Sequence, residues 1–303
     1  MSSMNITVTG ATGFIGNRLV QQLLQAGHSI HALGRKRSAK LPPAVGFSEW
    51  RSTETEPPEE SLATADAIIH LAGESVAQRW TPEVKQRIRS SRVDGTRNLV
   101  NAIAKQSRRP KLLVCASAIG YYGSRGDEIL TEASSPGHDF LAGVVIDWEK
   151  AAEQAEPLGI RVVRLRFGVV LGTDGGALAK MLPPFRMGLG GRLASGQQWM
   201  SWIHVDDVIG LIQFALENSA ARGALNATAP QPVTNAQFTR ELAAALHRPA
   251  IFPVPRFVLS LLFGEMAGAI LGSQRVIPKA ARSAGFQFQY VELRPALARL
   301  LSE

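Results

Sequence analysis

Asn5-Ile6-Thr7-Val8-Thr9-Gly10-Ala11-Thr12-Gly13-Phe14-Ile15-Gly16 is the stretch on which the reading of this chain turns. A β-branched run ends in three glycines, and Phe14, Ile15, Leu19, Val20, Leu23 and Leu24 then recur at helical spacing. Strand, tight turn and helix thus follow in immediate succession. In that setting Gly10 permits the turn, Gly13 lets the backbone approach a pyrophosphate, and Gly16 lets the helix pack closely on a sheet. The helix N-terminus adds N–H groups and a positive dipole end, with Thr12, Phe14 and Ile15 bordering the phosphates. The stretch therefore predicts a dinucleotide site.

Outward from it, the pattern repeats. Residues 28–33, 66–71, 111–116 and 160–166 form apolar, strand-like runs, while 81–105 and 139–156 read as helices, the first opening on Thr81-Pro82. Alternation of this kind predicts a parallel sheet covered on both faces, a Rossmann-like doubly wound α/β fold. Beyond Val169 the chain becomes rich in glycine, and helices near 206, at 235–246 and at 257–272 predict a smaller, mostly helical lobe. The apolar 257–272 run reads as one buried helix. The expected division is an NADP-binding domain over 1–170 and a substrate or C-terminal lobe over 171–303, some segments of which return to the sheet.

The end of the second strand selects the cofactor. An acidic residue there binds a ribose 2′-hydroxyl, whereas an arginine accommodates a 2′-phosphate. Gly34-Arg35-Lys36-Arg37 contains no acid, so NADP(H) is favoured over NAD(H), with Gly34 and Arg35 as contacts.

Composition narrows the partners. The 303 residues are 45% hydrophobic and 19% charged, which excludes a disordered chain. The net charge of +8 admits anionic ligands, yet no aromatic-laced basic stripe or helix-turn-helix accompanies it, which disfavours nucleic acid. Six scattered histidines and one cysteine, Cys115, give no metal-ligand spacing and no disulfide. The 257–272 run is shorter than the ~20 residues of a membrane span and is interrupted by Glu265. With no leader-like start, these features predict a cytoplasmic protein acting on an unidentified small-molecule substrate.

The Thr9–Gly16 turn, Leu71-Ala72-Gly73, Ser117…Tyr122-Gly123 and Trp202-Ile203-His204-Val205-Asp206-Asp207 resemble the landmarks of extended short-chain dehydrogenases/reductases, the nucleotide-sugar epimerase/dehydratase superfamily. Arg79-Trp80, Ser91-Arg92, Gly120-Tyr121-Tyr122-Gly123, the 183–191 segment and Gln274-Arg275-Val276-Ile277-Pro278 resemble its atypical "epimerase family" branch, whose members carry a C-terminal domain of unknown function. The resemblance implies that Leu71 and Ala72 line the adenine-ribose side, with Gly73 beside them among the cofactor-binding residues. Arg92 stands where many members place an asparagine near the cofactor, Arg87 is a weaker neighbour, and Leu171 meets the nicotinamide through its backbone. Ser117 takes the place of the residue that polarises a substrate oxygen. The family's Tyr-x-x-x-Lys pair, however, falls on Leu141 and Val145, and no titratable side chain lies within 140–146. Tyr121 or Tyr122 is then the expected proton donor. His204, beside Asp206-Asp207, fits a helix cap better than a catalyst. These residues predict an atypical reductase or epimerase of a small carbonyl or sugar-like compound. The rival expectation is a non-catalytic NADP(H) redox sensor or interaction module. The helices at 81–105 and 139–156 permit a homodimer.

Overall fold

The architecture follows from where the apolar strands can be buried. In the computed structural model, which describes residues 3–302, the main sheet is built from β1 (Asn5–Thr9), β2 (Ser29–Gly34), β3 (Gly46–Glu49), β4 (Ala67–His70), β5 (Leu112–Ala118), β6 (Arg161–Phe167) and β7 (Gly223–Ala227). Their order is β7-β6-β5-β4-β1-β2-β3, and every neighbouring pair is parallel. Strand order reverses direction between β1 and β4, so a crevice opens there at the carboxyl ends of the strands.

Helices cover both faces. On one, Leu19, Val20 and Leu23 of α1 (Phe14–Gln25) join Val208, Ile209 and Ile212 from a helix at Val205–Glu217 over Ile6, Val8 and Ile69. On the other, Leu99 and Ile103 of α2 (Pro82–Lys105) and Trp148 and Ala152 of α3 (Phe140–Glu153) pack on Ile68, Leu113 and Cys115. A third cluster holds the smaller lobe together. It joins Leu178, Leu182 and Phe185 of α4 (Gly176–Arg186) to Phe238 and Leu242 of a helix at Asn235–Leu246, and to Leu293 and Leu297 of one at Leu293–Leu301. In chain order the Val205–Glu217 helix is α5 and Asn235–Leu246 is α6; although α5 and β7 follow β6, α5 packs on the main sheet and β7 adds a strand to it.

Local signals place the helix starts. Thr81 Oγ1 accepts from the Val84 N–H at 3.3 Å and Pro82 opens α2. His204 caps α5, its Nδ1 accepting from the Asp206 N–H at 3.1 Å, and its ring stacks on Tyr290 at 3.7 Å. It is buried away from the strand-end crevice, in keeping with a capping role.

The 257–272 run departs from its expected form. It makes two short helices, α7 (Arg256–Phe263) and α8 (Met266–Ile270), separated by Gly264 at φ +59°. Only Leu259 and Ala267 within them are buried, while Phe257, Leu261 and Leu262 are exposed. The smaller lobe's apolar cluster does not extend to this run, so most of its large side chains stay exposed or half-buried. A left-handed glycine then turns the second helix toward the crevice.

Beneath the glycine turn, His70 is fully buried between Thr9 Oγ1 at 2.7 Å and Thr96 Oγ1 at 3.1 Å. Burial pushes its imidazole down to about 4, so it is neutral at physiological pH. The unfolded chain, with a histidine pKa near ~6.5, takes up this proton first as pH falls. Stability is therefore complete above about 6.5 and is lost toward about 4, on the order of 3 kcal/mol for this group. A calorimetric melting series is expected to show the midpoint falling steadily from pH 6.5 to 4.5. A flat profile there would contradict a buried neutral His70.

Candidate functional site

The glycine turn is tight enough to exclude side chains. Gly10 has φ +72°, and its O accepts from the Gly13 N–H at 3.0 Å. A Cβ on Gly10 would lie 2.8 Å from the Leu71 carbonyl carbon, and one on Gly16 would lie 2.2 Å from Gly10 O. The turn is thereby pressed onto the end of β4. No side chain caps the α1 N-terminus and its first turn carries no acid, so no side chain offsets the positive end of the helix dipole there. Phe14 reaches across to the later glycines. Cβ atoms on Gly172, Gly175 and Gly176 would lie 2.3, 2.7 and 2.9 Å from their nearest neighbours, the first two of these being atoms of the Phe14 side chain.

This turn opens a cleft of about 920 Å³ that runs across the strand ends. Of the residues expected at a cofactor, Gly10, Gly13, Phe14, Ile15, Gly16, Leu71, Ala72, Gly73 and Arg92 line it, as does Ser117. Thr12 is exposed outside the lining, and Gly34 and the exposed Arg35 lie beyond it at the end of β2. Arg87 is also outside. Ile88 and Arg92, one turn apart on α2, face the cleft, and residue 87 is rotated about 100° from Ile88 into solvent. Leu171 is fully buried and paired with His204 in a short parallel ladder between Val169–Leu171 and Trp202–His204. The chain that borders the cleft after β6 is instead Phe167, Gly168 and Val169.

Neither tyrosine enters the cleft. After β5 the main chain makes a 3-10 turn, Ile119–Tyr122, that leaves Ile119 and Gly120 at the wall and carries both rings beneath it. Tyr122 is 0% exposed; its hydroxyl donates to Asn226 Oδ1 at 2.7 Å and accepts from Arg166 Nη1 at 2.9 Å. Burial pushes its phenol up to about 12. Tyr121 lies edge-on to it, with the Arg166 guanidinium 3.5 Å from its ring centroid. Of the two tyrosines expected as proton donor, Tyr122 is therefore built into the core and Tyr121, half-buried, packs against it outside the cleft lining.

Ser117 does reach the cleft, but its proton is committed. Its Oγ donates to Glu149 Oε1 at 2.5 Å. Glu149, on α3 and only 4% exposed, also accepts from Arg166 Nε at 2.7 Å, Arg166 Nη2 at 2.8 Å and Arg164 Nη1 at 3.2 Å. A carboxylate accepts only, and a serine has one proton to give. Ser117 thus turns lone pairs toward the cleft. Across from it, Leu141 and Val145 line the wall together with Phe140, Val144 and Trp148. The positions that carry tyrosine and lysine in the resembled family are apolar here, and they face the site.

The far side of the cleft belongs to the smaller lobe. Glu265, Gly268, Ala269, Gly272 and Gln274 close it. Gln274 Nε2 donates to the carbonyls of Ile119 at 2.9 Å and Gly123 at 3.0 Å, and Glu265 accepts from Lys85 Nζ at 2.6 Å. Asp139, also in the lining, caps α3 by accepting from the Ala142 N–H at 2.9 Å. The Trp80–Phe140 edge-to-face pair, with ring centroids 5.3 Å apart, completes the wall. Trp80 and Gln274 lie in segments whose resemblance was visible in the sequence, although nothing there assigned them to a cleft. Among the described residues no group of three potential metal ligands occurs, and no helix is long and apolar enough to cross a membrane.

A phosphate-type turn at the switch point of this sheet, with a second lobe across the strand ends, defines an extended short-chain dehydrogenase/reductase. Residues 6–227 match the NAD dependent epimerase/dehydratase family and residues 254–300 match a domain of unknown function, DUF1731. The chain belongs to the NAD dependent epimerase/dehydratase family. It is 43% identical to the chloroplastic "Epimerase family protein SDR39U1 homolog" of Arabidopsis thaliana, covering 99% of this chain and 87% of that protein. It is 42% identical to "Epimerase family protein YfhF" of Bacillus subtilis over 99% of both. The crystal structure of human epimerase family protein SDR39U1 (isoform 2) with NADPH superposes with TM-score 0.88 at 35% identity, covering 99% of each chain. The expected fold and the family resemblance both hold.

Proposed function

We propose that this protein binds NADP(H) along the cleft and responds to its redox state, without the carbonyl–alcohol step that a Tyr–Lys pair supports. The observation that carries this reading is the wall at Leu141 and Val145, opposite a Ser117 hydroxyl committed to Glu149. Carbonyl reduction needs a polarising donor and a positioned acid, and the cleft has neither at those places. The cofactor, when bound, supplies a hydride equivalent. The α1 N-terminus would take its pyrophosphate, and Leu71 and Ala72 its adenine-ribose side. The nicotinamide end would then fall against α3 and the smaller lobe. Arg35, following β2 where an acid would select NAD(H), supports NADP(H), as does the NADPH bound to the human relative.

A reductase is the second reading, and the apolar wall of Trp80, Phe140 and Val144 favours it, because it leaves room for a planar apolar compound. Its proton would come from water. The two are separated by following NADPH absorbance at the nicotinamide band against small aldehydes, ketones and nucleotide sugars, with the native protein and Ser117→Ala. Binding with no decay is expected. A decay that Ser117→Ala abolishes contradicts the proposal, and a decay that survives the substitution supports the second reading.

A further inference from the structure

We infer that the smaller lobe carries, around α7, a face that seats the protein on an anionic lipid bilayer.

Two segments of the lobe combine basic charge with uncovered apolar surface. Residues 175–205 and 242–264 contain no Asp or Glu, yet they supply Arg186, Arg192, Arg248 and Arg256, all exposed. Among the described residues none of these four forms an ion pair. Of the nine large apolar side chains left exposed among the described residues, seven fall in the same segments, Met187 and Leu189 in the first and Ile251, Phe257 and Leu261 among those in the second. Each of the seven is 54–72% exposed, so they do not cover one another. Single exposed apolar residues are ordinary, but a gathering of this kind marks an interaction surface.

The two segments are held side by side. The Val254 N–H donates to Arg192 O at 2.8 Å, and the Ala194 N–H donates to Val254 O at 2.9 Å. Gly188 packs on Pro249, where a Cβ would lie 3.5 Å from Cγ. On α7, at ~100° per residue, Phe257, Leu261 and Leu262 fall within an arc of roughly 140°, with Arg256 and Ser260 along its edge and Leu259 buried behind. A helix lying in the plane of a bilayer surface has this arrangement, an apolar side turned to the hydrocarbon and a cation at its border.

The border also offers a place for a headgroup. Arg192, Arg240 and Ile251 line a hollow of about 400 Å³. Arg240 is only loosely held by Glu241, at 3.9 Å, because Arg294 takes that carboxylate at 2.8 Å. Forked cationic donors beside an aliphatic side chain suit a phosphate whose ester chains run on into hydrocarbon. A folded protein partner would need a surface shaped to side chains that project separately from two loops and a helix. Fluid hydrocarbon covers them without such a match, and anionic headgroups answer the arginines. No helix among the described residues is long and apolar enough to cross a membrane, so the contact is peripheral. Because α8 follows α7 directly and closes the cleft, seating α7 holds the cleft beside the bilayer.

The test is flotation of the full chain on vesicles of phosphatidylcholine mixed with phosphatidylglycerol, against vesicles of phosphatidylcholine alone. The native protein is compared with Phe257→Ser/Leu261→Ser, Arg248→Glu/Arg256→Glu and Met187→Ser/Leu189→Ser. The native protein should float with the anionic vesicles, bind the neutral ones at least about tenfold more weakly, and be partly released by salt. Each double variant should weaken binding by about tenfold or more. All six side chains are exposed, so melting midpoints should stay near the native value. The Met187/Leu189 variant repeats the test with α7 unaltered, should the α7 substitutions disturb the lobe. A native protein that stays behind when anionic vesicles float overturns the inference. So does flotation that both serine variants retain in full, since basic charge alone then adsorbs the protein. A native dimer that binds no vesicles and that Phe257→Ser/Leu261→Ser turns into monomers in sedimentation velocity assigns the face to a second copy of the chain, and also overturns it.

Discussion

Replacing Glu149 with alanine is expected to destabilise the protein by ~3–5 kcal/mol, the range for breaking a buried ion pair on one side. Its carboxylate receives four hydrogen bonds, from Ser117, from two nitrogens of Arg166 and from Arg164. Arg166 is 4% exposed at its side chain, and Glu149 is the one carboxylate within ion-pair distance of it among the described residues. Its other contacts lead onward. Tyr122 links it to Asn226 on β7, whose Nδ2 donates to the Ile277 carbonyl at 3.0 Å. The network therefore ties α3, β5, β6 and β7 to the smaller lobe. Without Glu149, a buried guanidinium is left unpaired in the middle of it. Thermal melts should show a drop on the order of 10 °C. Arg166→Met added to Glu149→Ala should recover part of the loss, since it removes the stranded charge. A Glu149→Ala change below ~1 kcal/mol would mean that the cluster is solvated rather than sealed.

Gly16→Val is expected to remove NADPH binding, by more than about 100-fold, while leaving the strands of the sheet in place. Any Cβ at this position would lie 2.2 Å from Gly10 O and 2.9 Å from Ala11 Cα, both main-chain atoms that cannot rotate aside. The α1 N-terminus must then move off the turn, and its N–H groups lose their alignment. Circular dichroism and titration on the same sample separate loss of the site from loss of the fold. A folded Gly16→Val protein that binds NADPH within tenfold of native would show that the phosphates lie elsewhere.

The parts of the molecule that sequence alone disclosed are those set by local pattern. The glycine spacing, the alternation of strands and helices, and Thr81-Pro82 at the head of α2 each depend on residues close together in the chain. The parts that stayed hidden depend on distant partners. Ser117 and Glu149 are 32 residues apart, and nothing near either reveals that one accepts the other's hydrogen bond. Tyr121 and Tyr122 follow a strand whose end faces the cleft, yet one short 3-10 turn sends both rings to Arg166. Arg87, the weaker of the two arginines expected near the cofactor, shares a helix with Arg92, and helical phase puts the first in solvent and the second in the cleft. The apolar 257–272 run carried no sign that one glycine would break it and leave half its surface uncovered. Leu141 and Val145 form the opposite case. Their apolar character was plain in the sequence, and the fold gives it meaning by placing both at the wall of the cleft.

Calorimetric titration of the native protein with NADPH and with NADH at neutral pH decides whether the cleft is built for NADP(H). The prediction is one NADPH per chain, bound at least about tenfold more tightly than NADH, with Arg35→Asp erasing the preference. Absence of binding heat with either nucleotide, or NADH bound as tightly as NADPH, would contradict it.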